Sequence, residues 1–146
     1  MKSFLTMAAV AALMASVGGA WAAEHEVQML NKGEKGVMVF EPDFIQAAPG
    51  DTIRFIPTNK THNAESIPAM MPEGAEPFKG KVNEEITITV TQEGVYGIKC
   101  QPHYAMGMVV LVVVGNPVNL EEAQAVKHPG VARKRFAAAF AEIPSN

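Results

Sequence analysis

The run Val109–Val114 (VVLVVV) is strand-sized, and it follows directly on the loop "CQPHYAMGM", which begins with the chain's one cysteine, Cys100. Six aliphatic residues are too few to cross a bilayer, and β-branched side chains favour extended backbone. The text upstream agrees with a β protein. "HEVQML" alternates polar and apolar residues, and "VMVF" follows it across an "NKGEKG" turn. "FIQAAPGDTIRFIP" reads as two strands about Pro49-Gly50-Asp51, and Ile86 and Ile88 alternate with threonines in "ITITV". A Gln92-Glu93-Gly94 turn then leads into "VYGIKC". Short strands separated by turn signals predict an all-β antiparallel sandwich or barrel. Between Thr58 and Val82 lies a stretch rich in Pro, Gly, Asn and Met with neither period, and irregular segments of that length often carry function. After Gly115-Asn116-Pro117 the pattern changes to two helices. Asn119 is placed to N-cap the first, with Glu121 and Glu122 in its opening turn; "KHPG" breaks it, and Phe136 and Phe140 stand four apart in the second.

The first residues do not belong to this pattern. Lys2 precedes an almost wholly apolar stretch from Phe4 to Val17, and "GGAWAA" places small residues at Ala20 and Ala22. This is the form of a secretory signal peptide over residues 1–22, with the mature domain at 23–146 and its helical tail at 119–146. Cleavage after Ala20, or an uncleaved anchor, is the alternative. Cleavage leaves no membrane anchor. The formal charge of −3 becomes one unit more negative once Lys2 leaves, so no bulk basicity points to nucleic acid.

An exported chain enters an oxidising compartment, where cysteines usually pair. Cys100 has no partner of its own kind, which leaves an intermolecular bridge, a buried inert thiol or a metal thiolate. Its neighbours favour the last. Cys100, His103 and Met108 form C-x2-H-x4-M on one hairpin loop, with Met106 as the nearer alternative thioether. Thiolate, imidazole and thioether make a soft donor set that suits copper, and one cysteine, two histidines and a weak axial methionine hold blue-copper electron-transfer sites. Of the other histidines, His62 in "NKTHNAES" opens the irregular segment and is the natural second imidazole. His25 and His128 read as ordinary surface residues, and there is no H-x-H pair to suggest a second copper centre.

"VYGIKCQPHYAMGMVVLVVVG", with "THN", "VQMLNKG", "MVFEPDF", "APGDTIRFIPT" and "MPEGAEPFKGKVNE", closely resembles the pseudoazurins, a bacterial group of cupredoxins. The resemblance runs over essentially the whole of residues 23–146. The loop motif alone would fit plastocyanin-like relatives too; the helical tail is what resembles pseudoazurins in particular. The resemblance implies an eight-stranded Greek-key β-sandwich with two C-terminal α-helices and one copper ion held by His62, Cys100, His103 and Met108. It also implies that the Asn63 backbone N–H donates to the cysteine sulfur. The Asn63 side chain is expected to tie its loop to the ligand loop near Gln101, a position where relatives are expected to carry threonine.

The functional expectation is a periplasmic, monomeric one-electron carrier and not an enzyme, because no open coordination position or further catalytic group is in view. The resemblance implies denitrification partners: copper nitrite reductase, with cytochrome cd1 nitrite reductase, nitrous oxide reductase and cytochrome c peroxidase as others. His103 is the expected electron exit. Pro57, Pro68, Met38, Pro102 and Met106 are expected to form an apolar patch around it, ringed by Lys32, Lys60, Lys79, Lys81 and Lys99. Two other readings of the donors exist: a periplasmic copper-binding chaperone using Met70-Met71, and a structural zinc site, for which a thioether is a poor ligand.

Overall fold

A computed structural model of the chain describes residues 19–145, so most of the expected signal peptide lies outside the described residues. Eight strands follow in order: β1 (Glu24–Gly33), β2 (Gly36–Glu41), β3 (Phe44–Ala47), β4 (Asp51–Ile56), β5 (Glu65–Ser66), β6 (Ile86–Val90), β7 (Gly94–Lys99) and β8 (Val109–Val114). Helices α1 (Leu120–Gln124) and α2 (Ala132–Phe140) end the chain, as the change of pattern after Pro117 predicts. The strands make two four-stranded sheets, ordered β2-β1-β4-β6 and β3-β8-β7-β5. The expectation of purely antiparallel pairing needs correcting, because β1 with β4 and β3 with β8 run parallel. The chain changes sheet between β2 and β3 and returns at β4, where it runs parallel to β1, while β6, which also re-enters this sheet after a crossing, lies antiparallel to β4.

Strand β8 explains its own composition. Val110, Val112 and Val114 face the interior of the sandwich with Val27, Met29, Phe40, Ile53, Phe55, Tyr96 and Ile98. Val109, Leu111 and Val113 face the other way, into a second core with Val95, Ala123, Ala132, Phe136 and Ala139 of the adjoining strand and the two helices. A strand covered on both faces has no position for a polar residue, and each covered aliphatic side chain contributes about 1.5–3 kcal/mol by leaving water. The tail is therefore part of the fold's packing and holds β8 rigid from the outside.

Asn119 precedes α1 as expected, but its side chain does not cap the helix. Its amide instead accepts from the Val95 N–H at 2.6 Å and donates to the Val95 carbonyl at 3.0 Å. The reason lies in the sheet: β5 pairs only with Ile98 and Lys99 of β7, so the backbone of Val95 lacks a strand partner on that side, and a buried N–H left unpaired is costly. Among the methionines offered as surface donors, Met70 is fully buried and Met71 packs on the sandwich core. Met70 is therefore not an exposed donor, and Met71 is only partly so.

Candidate metal centre

The ligand loop joins β7 to β8 across the end of the sandwich. Cys100 follows directly on β7, and its N–H donates to the Met108 carbonyl at 3.0 Å, closing the loop at its base. Within it Tyr104–Met106 form a single 3-10 turn that ends at Gly107 in the left-handed region, φ 95°. A side chain there would be strained, and a Cβ would sit 2.9 Å from Val131 at the approach to α2. The loop is clamped from that side as well, since the Val131 N–H donates to the Ala105 carbonyl at 2.9 Å. This bend turns Met108 inward, where it is fully buried in the sandwich core, while Met106 stays 44% exposed.

His62 arrives on the neighbouring loop after β4. Thr61 before it holds a positive φ of 74°, uncommon for a β-branched residue, and its N–H donates to Asn83 Oδ1. The Asn83 N–H in turn donates to the His62 carbonyl at 2.9 Å. His62 itself is fully buried. Its Nε2 lies 2.8 Å from Asn31 Oδ1 on β1, which leaves Nδ1 for the centre. That nitrogen is 3.1 Å from His103 Nδ1, and the Cys100 sulfur lies 3.8 Å from His62 Nδ1 and 3.6 Å from His103 Nδ1. The three donor atoms thus all fall within 4.8 Å of one another.

Two imidazole nitrogens at this separation, facing a thiol with no carboxylate among them, form a soft donor set that suits a soft cation. Of the local shifts, that of His62 favours metal binding, while that of Cys100 favours the protonated thiol in the metal-free chain. Burial pushes the Cys100 thiol up, while the Asn63 and His103 backbone N–H groups, donating to the sulfur, pull the other way. Burial, and then the charge of His103, push His62 down, which favours the neutral, metal-binding imidazole. The residues present therefore fit a copper ion.

The Asn63 side chain is nearly fully buried. Its Oδ1 accepts from the Gln101 N–H at 2.7 Å, and its Nδ2 donates to the Gly80 carbonyl at 3.0 Å and to Glu65 Oε2 at 3.1 Å. The expected tie between the loops is present, and it runs to the backbone of Gln101, so replacing an expected threonine by glutamine leaves it intact. Asn31, as the residue that orients His62, carries no local sequence signal of that role. Only the register of β1 beside β4 brings it there.

Both histidines set aside as surface residues have structural partners. His25 Nε2 lies 2.9 Å from Asp51 Oδ2. His128 packs 4.3 Å from the Phe136 ring centroid, contacts the Tyr104 hydroxyl through Nδ1, and leaves its Nε2 buried without a hydrogen-bond partner. Helix α2 draws it inward, because Phe136 offers an apolar face under the ligand loop. Lys99 is also more enclosed than a free surface lysine. Its Nζ lies 3.6 Å from the buried Glu65 carboxylate and 4.8 Å from the centroid of the Tyr104 ring.

Comparisons with known proteins follow the same lines. Residues 27–115 match the copper-binding proteins of the plastocyanin/azurin family. The pseudoazurin of Paracoccus pantotrophus is 56% identical over 93% of this chain and 94% of its own length. The crystal structure of native pseudoazurin from Hyphomicrobium denitrificans superposes with a TM-score of 0.80 at 47% identity, covering 84% of this chain and 99% of that one. That of pseudoazurin from Methylobacterium extorquens AM1 gives 0.81 at 49% identity, over 83% and 99%. With a buried cysteine between two imidazoles at the end of an eight-stranded sandwich and a helical tail packed on its last strand, the chain belongs to the plastocyanin/azurin family of copper-binding proteins, and within it to the pseudoazurins.

Proposed function

We propose that the protein is a periplasmic one-electron carrier in which His62, Cys100, His103 and Met108 hold a single copper ion. The observation that carries this reading is the cluster of one buried thiol and two imidazole nitrogens, with a fully buried methionine, Met108, at the end of the same loop. Copper in such a soft site supplies a one-electron exchange between Cu(I) and Cu(II). The chain's own residues do the rest. Asn31, Asn63 and the Cys100–Met108 backbone bond hold the ligands in place through either oxidation state, which keeps the rearrangement on electron transfer small. Burial of His62, Cys100 and Met108 keeps water away from the donors.

His103 is the one donor of the set that is only half-buried, which supports its imidazole edge as the route for the electron. Exposed Pro102 and Met106 flank it on the loop. Lys79, Lys81, Val82, Gln101 and Pro102 line one shallow hollow, and Pro68, Lys79 and Lys99 line the next. Among the described residues Lys79 and Lys81 make no ion pair, so their charge is free to act at a distance. That arrangement supports an apolar contact ringed by lysines and an acidic redox partner, of which a copper nitrite reductase is the first choice. Such a surface raises the encounter rate and weakens with salt, since the screening length falls to about 8 Å at physiological ionic strength. The test is stopped-flow mixing of the reduced, copper-loaded protein with the nitrite reductase of its own host. One electron per chain, transferred faster at low salt, is expected; no transfer at any ionic strength contradicts the reading.

A further inference from the structure

At the end of β1 remote from the ligand loops, three groups gather on one carboxylate. The Ala23 backbone nitrogen donates to Asp51 Oδ1 at 2.9 Å, His25 Nε2 lies 2.9 Å from Asp51 Oδ2, and the Ala48 N–H donates to the same Oδ2 at 2.9 Å. Asp51 is only 5% exposed, so the start of the domain is held at a defined point. His25 Nδ1, on the other side of the ring, makes no hydrogen bond among the described residues, and the side chain is 26% exposed. Asn31, which orients His62, lies six residues further along the same strand, so this end is about 20 Å from the copper ligands at about 3.3 Å per residue.

Cleavage after Ala22 changes the chemistry of this corner. It turns the Ala23 nitrogen from an amide into a primary amine, and it makes the mature chain begin Ala23-Glu24-His25. An amine, two successive backbone nitrogens and an imidazole at the third residue are four nitrogen donors that close three fused chelate rings in a plane. Square-planar nitrogen coordination selects Cu(II) or Ni(II). We propose that this mature amino terminus is a second metal site, a square-planar Cu(II) or Ni(II) chelate of the Ala23 amine, the Glu24 and His25 backbone nitrogens and His25 Nδ1.

The inference rests on the cleavage expected from the sequence. Chelation turns Ala23 and Glu24 out of extended backbone and so releases the start of β1 from β4, leaving the rest of the strand paired. Pairing of β1 with β2 begins only at Gln28, and the chelate involves just the first two rungs against β4, Glu24 with Thr52 and His25 with Ile53. The metal displaces Asp51 from the amine, and binding releases the ammonium proton and the Glu24 and His25 amide protons to solvent while copper stays Cu(II). Proton release makes the site weaken as pH falls. A carrier with this terminus would hold a second, colour-distinct and redox-silent metal ion beside its working one.

The test starts from exported protein whose intact mass shows the mature start, loaded with one equivalent of copper so that the first site is filled. Ni(II) is then titrated in, with native mass spectrometry and the visible spectrum as readouts. Two variants run alongside: His25→Gln, and a chain extended by one methionine before Ala23. The chain beginning at Ala23 is expected to hold one Ni(II) at least about a hundredfold more tightly than either variant, each having lost a nitrogen donor. All three keep the thiolate-to-copper band, which shows that they are folded. Equal Ni(II) binding by the three chains overturns the metal site and leaves the cleavage reading standing. A native mass beginning at any residue other than Ala23 overturns both.

Discussion

Replacing Asn63 by alanine removes the joint between the two ligand-bearing loops, and its cost can be worked from the bonds it breaks. The side chain accepts from Gln101 N–H and donates to the Gly80 carbonyl and the Glu65 carboxylate. A neutral bond contributes about 1 kcal/mol and one to a charged group about 1.5–3 kcal/mol. Gln101 is exposed and its N–H can reach water, which offsets most of that loss. Gly80 and Glu65 are buried and cannot recover theirs as easily. The expected destabilisation of the metal-free protein is about 3 kcal/mol, close to 10 °C in Tm for a domain of this size. Urea unfolding of the metal-free Asn63→Ala chain measures it, with an unchanged m-value as the check that only stability has moved. Asn63→Asp should recover the bond from Gln101 while placing a carboxylate beside Glu65, so it should fall short of the parent. A loss below about 1 kcal/mol for Asn63→Ala would refute the claim that this side chain joins the loops.

Three further outcomes follow from the same contacts. Gly107→Ala places a Cβ at φ 95° and 2.9 Å from Val131, so it should lose about 1–3 kcal/mol in urea unfolding; no loss would show that the 3-10 turn is not constrained there. Asp51 is held at about 2 first by the Ala48 N–H, then by His25 and Ala23. Because its folded value is depressed, the stability it contributes is complete above about pH 4 and is lost as pH falls through 2. Asp51→Asn should therefore be less stable at neutral pH yet show a shallower decline from pH 4 to 2, and a parallel decline counts against the assignment. Lys79→Glu with Lys81→Glu should slow association with an acidic reductase at low salt and converge on the parent at high salt, whereas Lys99→Glu should act chiefly on stability through Glu65 and Tyr104. Stopped-flow rates that are alike for all three at every salt concentration would remove the docking surface.

The donor set was legible because three of its members sit on one loop with metal-ligand spacing, and the fourth opens the one long irregular segment. The choice of Met108 over Met106 came from the resemblance; the left-handed Gly107 and the clamp from Val131, which accompany a buried Met108 and an exposed Met106, are displayed by no local pattern. The strands were legible from alternation and turn chemistry, but their pairing was not. Parallel register between β1 and β4 is a property of how the chain crosses between sheets, and it is what delivers Asn31 to His62. His25 and His128 were read as surface residues for the same reason. Their partners, Asp51 and Phe136, are distant or of a kind that sequence periodicity assigns to a core without naming a neighbour. Asn119 shows the converse, a good capping residue drawn away by an unpaired strand edge.

The central claim is that one thiolate, two imidazoles and a buried thioether hold a single copper. Adding Cu(II) to the mature protein while recording the visible spectrum and the electron paramagnetic resonance signal tests it most directly. An intense thiolate-to-copper absorption that vanishes in Cys100→Ser is the predicted result; a protein that takes up Cu(II) at His62 and His103 without that band contradicts it.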